Sequence, residues 1–172
     1  KQEAWSINQF HQIDWPAHGY AFHRAWSTKR ITLTKLAHKL LNTNEQNMRY
    51  YGKSDLCPCC NLQSESLLHV FTCSSPVVIT FRHTQQDILW KHLSLINTPT
   101  DIAQAIQTGI LSLESVSTDG DSSQQLSPMV LDAFEQQVIL GWDAFLRGRI
   151  SVAWPIACAG GPDLRDKASL KW

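Results

Sequence analysis

Cys57 and Cys60 are separated by two residues, the spacing at which one tight turn directs two thiolates at a single tetrahedral metal. Pro58 fixes φ inside that turn. Asn61, directly after it, is the non-glycine residue best able to take the positive φ with which such a knuckle closes. His69 and Cys73 stand four apart, so on a helix they project from the same face, one turn from each other. The whole pattern, C-x2-C-x8-H-x3-C, joins a knuckle to a helical pair and has the ligand arrangement of a small zinc module.

Three thiolates and one imidazole fill all four positions of a tetrahedral Zn2+ and leave none for water. The expectation is therefore one structural zinc and no hydrolytic centre, with iron as the other metal that thiolate-rich tetrahedra accept. Two other readings compete: buried thiols around a core histidine, or disulfides, which would leave one of the five cysteines unpaired. Cys59 is the alternative ligand, although its spacing from Cys57 turns its side chain to the other side of the knuckle. Cys158 reads as a small buried or half-buried apolar residue.

Other catalytic patterns are missing. The chain contains no Gly-rich phosphate loop, no G-x-S-x-G and no H-E-x-x-H, and it lacks the H-x-E and P-C-x-x-C of the zinc deaminases. His11, His18, His23, His83 and His92 are scattered and read as surface or core-edge residues. An enzyme is not expected from these residues.

The elements that must hold the ligands are helical. Leu33, Leu36, Ala37, Leu40 and Leu41 recur at helical spacing, and Asp14, beside Trp15 and Pro16, reads as a helix-entry cap. Thr43 is placed to cap a short helix that Gly52 closes, and Ser64 to cap the helix carrying His69, which Pro76 ends. A longer helix from Val77 should bury Val78, Phe81, Ile88, Leu89, His92, Leu93 and Ile96. Thr98 and Pro99 open another, with Ile102, Ala103, Ile106, Ile110 and Leu113 inward. After Ser127 and Pro128, Leu131, Phe134, Val138, Trp142 and Phe145 trace the inward face of a helix to about Arg147, stopped by Gly148.

No segment alternates with period two over six residues, so the fold class is mainly α, a helical domain with a small zinc knuckle and at most a short β-hairpin there. Four segments follow: 1–56, helical and basic; 57–113, the knuckle and its helices; 114–127, a polar linker; and 128–172, a helix and an irregular tail. At 172 residues with 43% hydrophobic and 17% charged residues, the chain can bury one core but not two large ones.

Formal charge is zero overall but segregated, at +4 over residues 1–56, −7 over 57–146 and +3 over 147–172. Basic residues among aromatics, His23, Arg24, Trp26, Lys29 and Arg30 near the start and Trp142, Phe145, Arg147, Arg149 and Trp154 near the end, have the composition of a nucleic-acid surface. The competing reading makes the rings core and the charges exposed. No apolar run approaches the ~20 residues that cross a bilayer, so no membrane partner is expected. The chain opens on Lys1 rather than Met, which reads as an interior piece of a longer protein.

The segment from Ile31 to Leu93 resembles the zinc-binding region that follows the polymerase in reverse transcriptases of retrotransposons lacking long terminal repeats. Leu41 and Thr43 at a helix end, the C-P-x-C of Cys57 to Cys60, the acidic Glu65 and the H-x3-C of His69 to Cys73 carry the likeness. Ile13 to Phe22 and Glu135 to Trp154 are similar to flanking segments in retroelement-derived proteins of diatoms and related algae, so nearly the whole chain is covered. Departures are Cys59, Asn61 in place of a common glycine, and the tail after Trp154.

The resemblance implies an accessory, non-catalytic region of a polyprotein that copies RNA into DNA, working in the nucleus beside the rest of that polyprotein. No Asp-Asp pair for catalytic metals is present. The implied partner is RNA or DNA, with Lys29, Arg30, Lys35 and Lys39 the expected phosphate contacts by their charge. The alternative is a zinc-stapled helical scaffold that binds protein.

Overall fold

The computed structural model describes residues 6–113 and 126–160, and the described residues form ten α-helices with no sheet. They run α1 (Ile7–His11), α2 (Trp15–Arg24), α3 (Ser27–Ala37), α4 (Asn44–Tyr51), α5 (Leu67–Thr72), α6 (Pro76–Leu95), α7 (Thr100–Ser112), α8 (Pro128–Leu140), α9 (Trp142–Leu146) and α10 (Ala153–Ala159). Extended pairing among the described residues is limited to two isolated antiparallel bridges, Ile13 with Ser151 and Leu56 with Ser64. The protein is mainly α, as its sequence predicts. No described helix is long and apolar enough to cross a membrane.

The core is built from α7, α8, α9 and α10. Ile102, Ala105, Ile106 and Ile110 meet Val130 and Ala133, with Trp142 and Trp154 filling the space between them. Each indole removes enough apolar area from water to contribute about 4–6 kcal/mol of transfer free energy. Gly109 makes the close approach feasible, since a Cβ there would lie 1.9 Å from Cζ2 of Trp142. Apart from residues 126 and 127, the expected linker lies outside the described residues, as does the tail after 160. The helices on either side of 114–125 share this one core.

Gln137 is wholly buried within it. Its Nε2 donates to the carbonyls of Gly141 and Arg149, and its Oε1 accepts from Ser151 N–H and Trp154 Nε1–H. One side chain thereby fixes the path of 147–152. That loop in turn docks the N-terminal helices: Asp14 N–H donates to Ile150 O at 2.9 Å and Val152 N–H to Gln12 O at 2.9 Å. Arg149 lies 4.7 Å over the Trp15 ring and donates to Ala37 O at 3.3 Å, tying α2 and α3 to the same point.

Local signals are realised closely where caps decide them. Asp14 accepts from Ala17 N–H, Thr43 caps α4, Gly52 closes it at φ 64°, and Pro128 stands in the first turn of α8. Other expectations are corrected. The helix expected to reach Leu41 ends at Ala37, because Lys39 takes φ 57° and the amides of Lys39 and Leu40 turn back onto Leu36 O and Lys35 O. Pro99 is the cap residue of α7, one position later than Thr98. The helix expected to run to Arg147 is broken by Gly141 at φ 94°, which frees Trp142 to turn into the core.

Inward faces depart further from the sequence pattern. On α8 the buried residues are Val130, Ala133, Gln137 and Leu140, while Leu131 and Val138 are exposed. On α6 Leu93 is buried, whereas Phe81, Ile88 and Ile96 are exposed.

Candidate metal centre

The knuckle forms where the spacing places it. Asn61 N–H donates to Cys57 O and Cys57 N–H to Gln63 O, both at 2.8 Å, and Asn61 adopts the expected left-handed conformation at φ 54°. The second bond, beside the Leu56–Ser64 bridge, makes a minimal hairpin that returns the chain to α5. Ser66, not Ser64, caps α5, its Oγ accepting from His69 N–H at 3.1 Å; Ser64 is held in the bridge and is unavailable to cap. His69 then lies in α5 and Cys73 at its C-terminal cap, on the side facing the knuckle.

The four ligand atoms lie within 4.8 Å of one another. Cys57 Sγ is 3.8 Å from Cys73 Sγ, and Cys60 Sγ is 3.4 Å from His69 Nε2. A tetrahedron with Zn–S near 2.3 Å and Zn–N near 2.05 Å requires edges of about 3.8 Å between sulfurs and about 3.6 Å between sulfur and nitrogen. The residues therefore fit a four-coordinate metal ion, and the cluster could hold one. Cys57, His69 and Cys73 are buried and Cys60 half-buried, so this is a closed site with a single partly open edge.

Electrostatics within the cluster differ by position. The backbone amides of Leu62 and Gln63, with the His69 ring and Cys57 beside them, draw the Cys60 thiol down to about 6 despite some desolvation. Burial pushes the Cys73 thiol up, reinforced by its contacts with Cys57 and Cys60. Cys60 thus favours its thiolate and Cys73 its neutral thiol, whose deprotonation a bound cation would have to drive.

Supports around the site are only partly legible in the sequence. Glu65 Oε2 accepts from Asn44 N–H at 2.8 Å, and Asn44 Nδ2 donates to Leu56 O at 2.7 Å, so the knuckle is stitched to the first turn of α4. Arg82 of α6 donates from Nη1 to Phe71 O at 2.9 Å and Cys73 O at 3.2 Å, satisfying carbonyls at the end of α5. No local pattern announces that contact.

Cys59 is exposed and stands outside the cluster, as its spacing predicts, and Cys158 packs half-buried against the core. The four basic residues Lys29, Arg30, Lys35 and Lys39 do not assemble into one face. Lys29 and Lys35 are exposed on α3 but about 120° apart around its axis. Arg30 commits its guanidinium to Ala25 O and His23 O, at 2.8 and 2.6 Å, closing the turn between α2 and α3. Lys39 lies past the helix end. At the other end of the chain Arg147 is buried against Asp143 at 2.9 Å, and Arg149 is buried on Trp15, so charges expected at the surface are internal. No protein-family model matches the chain, and neither a curated protein nor a solved structure is significantly similar to it.

Proposed function

We propose that the chain is a zinc-stabilised, non-catalytic accessory region of a retroelement reverse transcriptase that helps hold nucleic acid. The observation that carries the metal half is the ligand geometry, a largely buried Cys3His set whose four ligand atoms lie within 4.8 Å of one another, two of the separations matching tetrahedral edges. Zinc suits it best among common metals, because the set mixes soft thiolates with an imidazole and leaves no open coordination position. When bound, the ion supplies a cross-link between the knuckle and α5. The residues of the chain do the rest: Asn61 closes the turn, Ser66 orients His69, and Glu65 transmits the position of the knuckle to α4.

The nucleic-acid half is supported by the motif likeness and by the net positive charge of residues 1–56. One observation favours the scaffold reading instead. Val77, Phe81, Ile88 and Leu95 of α6 are 77, 64, 54 and 79% exposed, an apolar stripe of the kind that partner helices cover.

Elemental analysis of the purified chain and of Cys73→Ala tests the metal: one zinc per chain, lost in the variant, is expected. Titration of the loaded chain with single- and double-stranded nucleic acid at several salt concentrations tests the partner. A log affinity falling linearly with log salt is expected, and no binding at low salt would leave the scaffold.

A further inference from the structure

An open groove of about 630 Å3 lies between the end of α3 and the flank of α4. Among the described residues its lining combines three rings, Phe10, Trp15 and Tyr50, with three cations, Lys39, Arg49 and Arg149, and one carboxylate, Glu45. That carboxylate is 3.9 Å from Arg49 and is offset by it. Arg149, held on Trp15, gives the floor a positive charge that cannot swing away. The groove between α5, α6 and α7 contrasts with it, being lined by Val70, Phe71, Val78, Phe81 and Leu89 with Arg82 as its charged residue.

At the rim, Tyr50 is 70% exposed, and Tyr51, 72% exposed, stands beside it with ring centroids 6.5 Å apart. Large rings left in water beside cations do nothing for a surface that only meets solvent, but they are what an unpaired base and its phosphates require. A duplex keeps its base faces stacked inside, so rings at this rim can be used only by a strand whose bases are free.

We infer that this groove binds single-stranded nucleic acid, with a base stacked on Tyr50 and the adjoining phosphates on Lys39 and Arg49. The inference rests on the nucleic-acid reading above and relocates its contact surface. Of the four basic residues singled out by charge, Lys39 belongs to the groove, while Lys29 and Lys35 lie elsewhere on α3.

The test uses the metal-loaded full chain and fluorescence anisotropy with a labelled 12-nucleotide RNA, the same DNA sequence, and the corresponding duplex. Tyr50→Ala should weaken single-strand binding roughly 5- to 100-fold, and Tyr50→Phe, which keeps the ring, should restore it. Lys39→Asn combined with Arg49→Gln should reduce the magnitude of the salt slope by about 1.4, the contribution of two phosphate contacts on a single strand. Asparagine is chosen because position 39 has φ 57°, which it tolerates. Lys29→Gln combined with Lys35→Gln should change the slope less. Retained metal content and helical signal in each variant show that the fold is kept.

Single-strand affinity unchanged in Tyr50→Ala, a duplex bound as tightly as the single strand, or a slope carried by Lys29 and Lys35 would each overturn the groove while leaving the nucleic-acid reading in place. Absence of binding to every strand at low salt would overturn both.

Discussion

Removing the metal should melt the knuckle and leave the core standing. From residue 38 to residue 92 the only buried apolar residues are Cys57 and Cys73, which are ligands themselves; the other buried side chains there are Thr43, His69, Ser75 and Gln86. No aliphatic cluster therefore holds the knuckle shut. α5 has six residues and α4 eight, well below the ~12–15 at which an isolated helix becomes marginally stable in water. Structural zinc contributes roughly 10 kcal/mol or more to comparable small modules, which exceeds the six hydrogen bonds that close the hairpin and tie it to α4, at about 1 kcal/mol each. The core cluster, by contrast, draws no side chain from residues 38 to 88. Hydrogen exchange followed by mass spectrometry, before and after a strong chelator, should show protection lost over 54–75 and over α4, through its Glu65 tie, with α7, α8 and α10 unchanged. The fluorescence of buried Trp142 and Trp154 should also persist. Equal protection at 57–73 with and without metal would refute the argument, and collapse of the whole chain would show that the core depends on the site in a way its contacts do not suggest.

Two further predictions concern single positions. In the chain carrying Cys59→Ser and stripped of metal, where the knuckle should melt, alkylation at Cys60 should follow pH with a midpoint near the ordinary thiol value of about 9, because only the folded knuckle holds the amides of Leu62 and Gln63 that draw it down to about 6. The lowered value in the folded knuckle means that the associated stabilisation is fully present above about 9 and is lost as pH falls through about 6; a midpoint near 6 in the metal-free chain, read by mass spectrometry, would show that the knuckle keeps its fold without metal. Gly109→Ala should destabilise the protein by about 3 kcal/mol in urea unfolding, because the new methyl falls within the Trp142 ring and α7 must shift to admit it. A change under about 0.5 kcal/mol would mean that the Gly109–Trp142 contact is looser than its geometry.

Much of the candidate site is legible in the sequence alone. All four metal-cluster residues, the left-handed Asn61 and the outward position of Cys59 follow from spacing and turn chemistry. Its supports are less so. Glu65 reaches Asn44 across 21 positions, and Arg82 reaches back to Cys73 across nine; neither contact has a periodic signature. The basic clusters mislead for a related reason. Charge predicts where a residue prefers to be, but Arg149 finds a ring and a carbonyl that offset its burial, and Arg30 finds two carbonyls at a turn.

By itself, the sequence determined what depends on neighbours a few residues away: the helical class, the caps at Asp14 and Thr43, the stop at Gly52, and the ligand pattern. Such features are governed by backbone sterics and local hydrogen bonds, which a short window contains. Only the tertiary structure decided which face of each helix turns inward. Periodicity weights large side chains and so favoured Leu131 and Val138 on α8 beside Phe134, which does pack against the core, yet the buried face is Val130, Ala133, Gln137 and Leu140. There Ala133 lies wholly buried in the core, and Gln137 satisfies two carbonyls and two N–H donors that no window around it would reveal. Close packing selects by shape and by unpaired polar groups on distant segments, and neither is written in the spacing of any one helix.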